Sequence, residues 1–131
     1  MIIPNQLQVT AQDAYNYVSS KVFADQQLCA VLKFDGETNE EAFAKAIRLT
    51  LDLEPVLGCR FNENNGNPFW ERRQDLDQTK LCTVIEHVQV EQALQAFINE
   101  PTHADSNPLV TAKIYGSPGG HTQTGSKPII K

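Results

Sequence analysis

Long hydrophobic runs are missing from this chain of 131 residues. No apolar stretch approaches the roughly 18 residues that a bilayer-spanning helix needs, and the opening "MIIPNQLQV" lacks the charged start and long apolar core of a secretory signal. A soluble, cytosolic protein is expected. Basic clusters are equally scarce. Arg72-Arg73 is the one adjacent pair, with Glu71 before it and Asp75 shortly after, in a chain of net charge -5 and pI near 5.1. Nucleic acids and anionic membrane surfaces call for grouped Lys and Arg, so neither is expected as a partner. The three cysteines, Cys29, Cys59 and Cys82, are odd in number and far apart, each in an apolar, strand-like stretch. Buried, reduced thiols are the expectation. No CxxC or HxxxH spacing supports a zinc site built from Cys82, His87 and His103, so no metal or cofactor is expected. A P-loop, a dinucleotide glycine fingerprint and a GxSxG elbow are absent as well.

What is present reads as one α+β domain over residues 1–131. Apolar residues at 40% and charged residues at 21% suit a packed core inside a polar shell. "TAQDAYNYVSSKV" offers a cap at Thr10 with Asp13 three positions on, and Ala14, Val18 and Val22 in line beside Tyr15, which predicts a short amphipathic helix. "QLCAVLKFDG" is an apolar run closed by a turn signal, hence a strand. "TNEEAFAKAIRLTLDLEP" is the clearest helix. Thr38 or Asn39 caps it, Glu40 and Glu41 occupy its positive first turn, and Pro55 closes it. Phe43, Ile47 and Leu51 form its apolar line, widened by Ala42, Ala46, Leu49 and Leu53, a stripe expected to pack on a sheet.

Next, "VLGCRFNENNGNPFWERR" is expected to be a hairpin turning at Asn64-Asn65-Gly66-Asn67. "LCTVIEHVQ" reads as a strand. "VEQALQAFINEP" reads as a helix with Val90, Leu94 and Ile98 aligned, and the alternation in "LVTAKIY" as a half-buried strand. A Gly/Ser/Thr loop over residues 116–126, expected to be mobile, leads to a last strand at "KPIIK". The order β-α-β-β-α-β predicts a two-layer sandwich, with both main helices on one face of a largely antiparallel, mixed sheet.

Chemistry is hard to find among these residues. His87 lies in an apolar strand and His103 in a loop. His121 sits among small residues with no carboxylate nearby to fix its tautomer, so it is not expected to be catalytic. No catalytic residue is assigned.

One stretch, "FDGETNEEAFAKAIRLTLDLEPVLGCRF", resembles the opening of the condensation-domain and chloramphenicol-acetyltransferase-like superfamily. In that family a strand and turn lead to a helix of the type "L..Al..tl...hPvLr.rf", then a hairpin with an aromatic near "FWE", a strand, a helix and a further strand. The likeness covers roughly residues 5 to 131, the first part of the family's N-terminal lobe. The resemblance implies acyl transfer from a thioester to a hydroxyl or amine, with the second histidine of an HHxxxDG motif as base. That motif is absent here. "SKPIIK" matches the first half of the strand that normally precedes it, so the expectation is a chain ending shortly before its base, not competent alone. Many relatives also carry an arginine where this chain has Gly58. The resemblance leaves Arg60 as a candidate to support the motif, alongside its alternative place on the wet side of the sheet. Trp70 is a candidate core or channel-lining aromatic.

The implied partners are the remainder of the acyltransferase or a second copy of the chain. An acyl thioester would be the donor in the full-length family. The rival reading is a self-sufficient ferredoxin-like binding module without enzymatic activity. A third, a small enzyme built around His121, would need that side chain to be firmly held.

Overall fold

The computed structural model describes residues 2–24, 28–33, 39–86, 89–101, 103–116 and 122–127. The elements are β1 (Gln6–Gln8), α1 (Ala11–Val22), β2 (Ala30–Lys33), α2 (Glu40–Leu53), β3 (Cys59–Asn62), β4 (Phe69–Arg72), β5 (Cys82–Glu86), α3 (Val90–Asn99), β6 (Thr111–Gly116) and β7 (Thr122–Lys127). They form an α+β fold with two small sheets, ordered β1-β4-β3 and β2-β7-β6-β5. Among the described pairs only β5–β6 is parallel, and α3 is its crossover. Among the described residues no single ferredoxin-like sheet is formed, because the β3–β4 hairpin pairs with β1 and leaves the other sheet to its own strands.

Local signals account for the element ends. The Thr10 hydroxyl accepts from the Asp13 backbone N–H at 3.1 Å, and the Thr10 N–H donates to Asp13 Oδ2 at 3.1 Å. This closes the capping box with Asp in place of the more usual Glu. Asn39 caps α2 through its side-chain oxygen, which accepts from Ala42 N–H at 3.0 Å. Pro55, unable to continue the helix, starts a 3-10 turn over Pro55–Gly58. The hairpin turns through Asn64 and Asn65, at φ 43° and 52°, and Gly66 at 90°. Asn and Gly tolerate these left-handed values best.

Two buried clusters follow from this layout. The first joins α2 to the larger sheet through Ile47, Leu51, Leu76, Leu81, Cys82, Ala112 and Ile114. The second joins α1 to the three-stranded sheet through Tyr17, Cys59, Phe61, Trp70 and Leu109. In the larger sheet Cys82 lies opposite Ala112 and Val84 opposite Ile114, so these residues share the face that α2 covers. Lys113 and Tyr115 lie on the other face and meet α3: the Lys113 ammonium sits 4.4 Å from the Phe97 ring and Tyr115 O–H donates to Ala93 O at 3.4 Å. The layering thus differs in detail from the expected single helical face. Alternation along β6 made both of its faces partly apolar, and a parallel crossover can place its helix on the side that α2 leaves open.

Four further expectations change. The apolar line Val18 and Val22 of α1 is exposed at 58% and 65%, because the helix turns Asp13, Tyr17 and Ser19 inward instead. On α2, Ile47 and Leu51 are buried, but Leu49 and Leu53 are 62% and 71% exposed. Cys59 and Cys82 are buried as expected, whereas Cys29 is exposed beside the edge strand β2. Finally, Thr122–Lys127 pairs with both β2 and β6 as β7, inside the stretch expected to be a loop, since backbone pairing is open to any non-proline sequence. The "PIIK" end and His121 lie outside the described residues.

Candidate functional site

Strand alternation decides where the candidate residues point. In the three-stranded sheet Phe61 pairs with Trp70 and Arg60 with Glu71, so the aromatics take one face and the charged pair the other. Trp70 is 2% exposed and donates its indole N–H to Asp13 Oδ2 at 3.0 Å. Phe61 stacks on Tyr17 at 4.0 Å between centroids and meets Trp70 edge-on at 5.2 Å. Trp70 is thus a core anchor for α1, on the sheet face opposite Arg60. The two candidates are not brought together.

Arg60 lies on the outer face, with its Nε donating to Glu71 Oε2 at 2.7 Å. This pair divides two adjoining shallow clefts of about 500 and 480 Å³. At the end of the first, Arg73 grips Asp75 through two hydrogen bonds of 3.0 and 2.9 Å and donates to Ser106 O at 2.7 Å. At the end of the second, the Tyr17 hydroxyl donates to Glu63 Oε1 at 2.6 Å, with Asp105 3.4 Å away. Burial first, and the hydrogen bond to Glu63 second, push the Tyr17 phenol well above its usual range, so it stays protonated. Glu71 and Asp75 are held below the usual carboxylate range chiefly by hydrogen bonds from Arg60 and Arg73. Carboxylates held ionised by arginines are poor proton shuttles near neutrality, which weighs against Glu71 and Asp75 as general acids or bases.

A third cleft of about 270 Å³ lies between α3 and the β5–β6 pair. Its Lys113 is engaged by Glu100 at 3.5 Å and by the Phe97 ring. Burial pushes the Cys82 thiol up, away from the thiolate a nucleophile needs. Among the described residues no group of three His, Cys, Asp or Glu side chains could hold a metal ion. His103 is exposed in its loop, and His87 and His121 lie outside the described residues.

The residue that sequence reading missed is Arg72. It is 8% exposed and reaches from β4 to the C-terminal end of α2, donating to Leu51 O at 2.7 Å, Pro55 O at 3.2 Å and Asp52 Oδ1 at 2.6 Å. The last turn of α2 contains no basic residue, and Arg72 supplies the cation that its exposed carbonyls favour. A Cβ at Gly58 would overlap this guanidinium, with Arg72 Cζ only 2.8 Å away and Leu76 Cδ1 3.1 Å away. Two signals pointed to it: the spacing of two from Trp70, which turns both residues inward, and the missing cation at the helix end.

This layered arrangement of short helices on two small sheets is similar in fold to part of solved condensation domains. The condensation domain from the monacolin K polyketide synthase MokA superposes with a TM-score of 0.66 at 11% identity, over 94% of this chain and 30% of that one. The starter condensation domain of rhizomide synthetase RzmA gives 0.64 at 13% identity, covering 93% and 33%. The tallysomycin biosynthesis protein TlmII gives 0.54 at 19% identity, covering 77% and 26%. The chain therefore spans about a third or less of each of these three structures. No family model matches the sequence, and no curated protein matches it. No helix among the described residues is long and apolar enough to cross a membrane.

Proposed function

We propose that this chain is the N-terminal part of a condensation-like acyltransferase, forming one wall of the channel in which an acyl group passes from a thioester to a hydroxyl or amine. The observation that carries this reading is the match to the MokA condensation domain across 94% of the chain but 30% of the domain. The absence of an HHxxxDG motif from all 131 residues adds that the base must come from outside this sequence. The natural partner is the remainder of such an acyltransferase. Where the family resemblance expects an arginine at position 58, the cation nearest to Gly58 is Arg72, which makes it a better supporting residue than the outward Arg60.

The coding sequence downstream of Lys131 tests the proposal. An HxxxD-type motif shortly after that point is expected, together with acyl transfer by the extended chain that is lost when the motif's second histidine becomes alanine. An extension without such a motif sinks the acyltransferase reading.

A further inference from the structure

The outer side of α2 carries an apolar stripe at Ala42, Ala46, Leu49 and Leu53, all four exposed. Their spacing of four, three and four keeps them in one line along the helix, the spacing of a helix–helix seam. The opposite side of the same helix, Ile47 and Leu51, is spent on the core. Side-chain size changes along the stripe, with alanine in the first half and leucine in the second.

We propose that this stripe binds the same stripe of a second copy of the chain, with the two α2 helices antiparallel about a two-fold axis between Ile47 and Arg48. The taper makes this pairing self-complementary: Ala42 meets Leu53 of the other copy and Ala46 meets Leu49, so each large side chain faces a small one. A parallel pairing would set leucine against leucine and alanine against alanine, leaving a gap at one end. Charge does not oppose the antiparallel register. Lys45 and Asp52 lie on one flank of the stripe, and the two-fold places each Lys45 beside the other copy's Asp52. That carboxylate already accepts from Arg48 and Arg72 of its own chain. Lys45 is 73% exposed and, among the described residues, is held by the surface pair with Glu41. Antiparallel packing also opposes the two helix dipoles. The stripe on α1 lacks these features, having Tyr15 in its middle and no acidic residue to answer Lys21 on its flank.

A helix of 14 residues is about 21 Å long, and contact through it alone falls below the ~1,200 Å² of a standard interface. The dimer is accordingly weak and concentration-dependent. The inference does not rest on the acyltransferase reading and stands or falls separately from it.

Sedimentation equilibrium over a wide concentration range tests it on the chain as it is. A reversible monomer–dimer equilibrium is expected, weakened about tenfold or more by Ala46→Glu or by Leu49→Lys, each with an unchanged circular dichroism spectrum. The double variant A46E/L49K, which sets Glu against Lys twice in the antiparallel register, should recover association, and so should an equimolar mixture of the two single variants. A strictly monomeric chain, a dimer indifferent to both substitutions, or single variants not rescued in combination would overturn the proposal. The first two results would leave the stripe to a different partner or to another part of a longer chain.

Discussion

Gly58 and Asp13 are the positions where single atoms matter most. A methyl group at 58 enters the space of the Arg72 guanidinium, which cannot move away without giving up its hydrogen bonds, and crowds the Leu76 side chain. Gly58→Ala is expected to cost about 1–3 kcal/mol in urea denaturation. The loss should shrink in an Arg72→Met background, where the clash partner is flexible and uncharged. A double-mutant cycle showing no coupling would reject this explanation. Asp13 combines a helix cap with a hydrogen bond from the buried indole of Trp70. Asp13→Ala should therefore lower stability by about 2 kcal/mol, more than an exposed cap alone provides. The cap was legible from "TAQD", since its geometry is local. The indole contact spans 57 positions and has no signature in the spacing of residues.

At the scale of elements, the arginine–carboxylate pairs set the response to pH. Hydrogen bonds from Arg48 foremost hold the Asp52 carboxyl below its usual range, with Arg72 adding to the effect, and Arg60 and Arg73 act likewise on Glu71 and Asp75. A carboxylate whose pKa is depressed by folding stabilises the fold above its unfolded value of about 4 and loses that contribution as the pH falls through the folded value. The melting temperature should drop below about pH 4 and not before. Tyr17 acts at the other end. Its raised pKa favours the fold fully below about pH 10 and less as the pH climbs further. Arg72→Met should cost about 3 kcal/mol, because buried groups lose their partner, whereas Arg60→Ala should cost less than about 1 kcal/mol. Similar losses for the two variants would refute the assigned difference in burial.

The elements also show what patterning can and cannot reveal. Helix existence and ends were readable, because caps and prolines act within a few residues. Which apolar line faces inward was not. On α2 the apolar residues spread over more than half of the helix, leaving Glu41, Lys45, Arg48 and Asp52 as the charged side. On α1 a cap, a hydroxyl and an aromatic outcompeted the valines for the inner face.

For the molecule as a whole, the order of elements from α1 to β6 was legible, but β1, β7 and the division of the strands into two sheets were not, since pairing between β1 and β4 joins residues more than sixty positions apart. The likeness to condensation domains could be read from "EPVLGCRF" and its helix because that turn joins α2, the 3-10 segment and β3 in one local unit. The site was less readable. Arg60 was visible as a cation two residues past Gly58, while Arg72 acts through a contact between distant elements. On its own, the chain is expected to give no acyl transfer above background with any thioester donor, as a single-turnover assay would show. Turnover by the isolated chain would require a base within these residues and would refute the proposed division of labour.

The only tryptophan of the sequence is enclosed in the cluster that joins α1 to the smaller sheet, at 2% exposure. Its emission therefore senses opening of that half directly, while the β5–β6 region with α2 and α3 contains no indole. A shift of emission to longer wavelength that preceded the loss of far-ultraviolet ellipticity on heating would mean that the hairpin half melts first, and coincident curves would mean that both halves unfold as one unit.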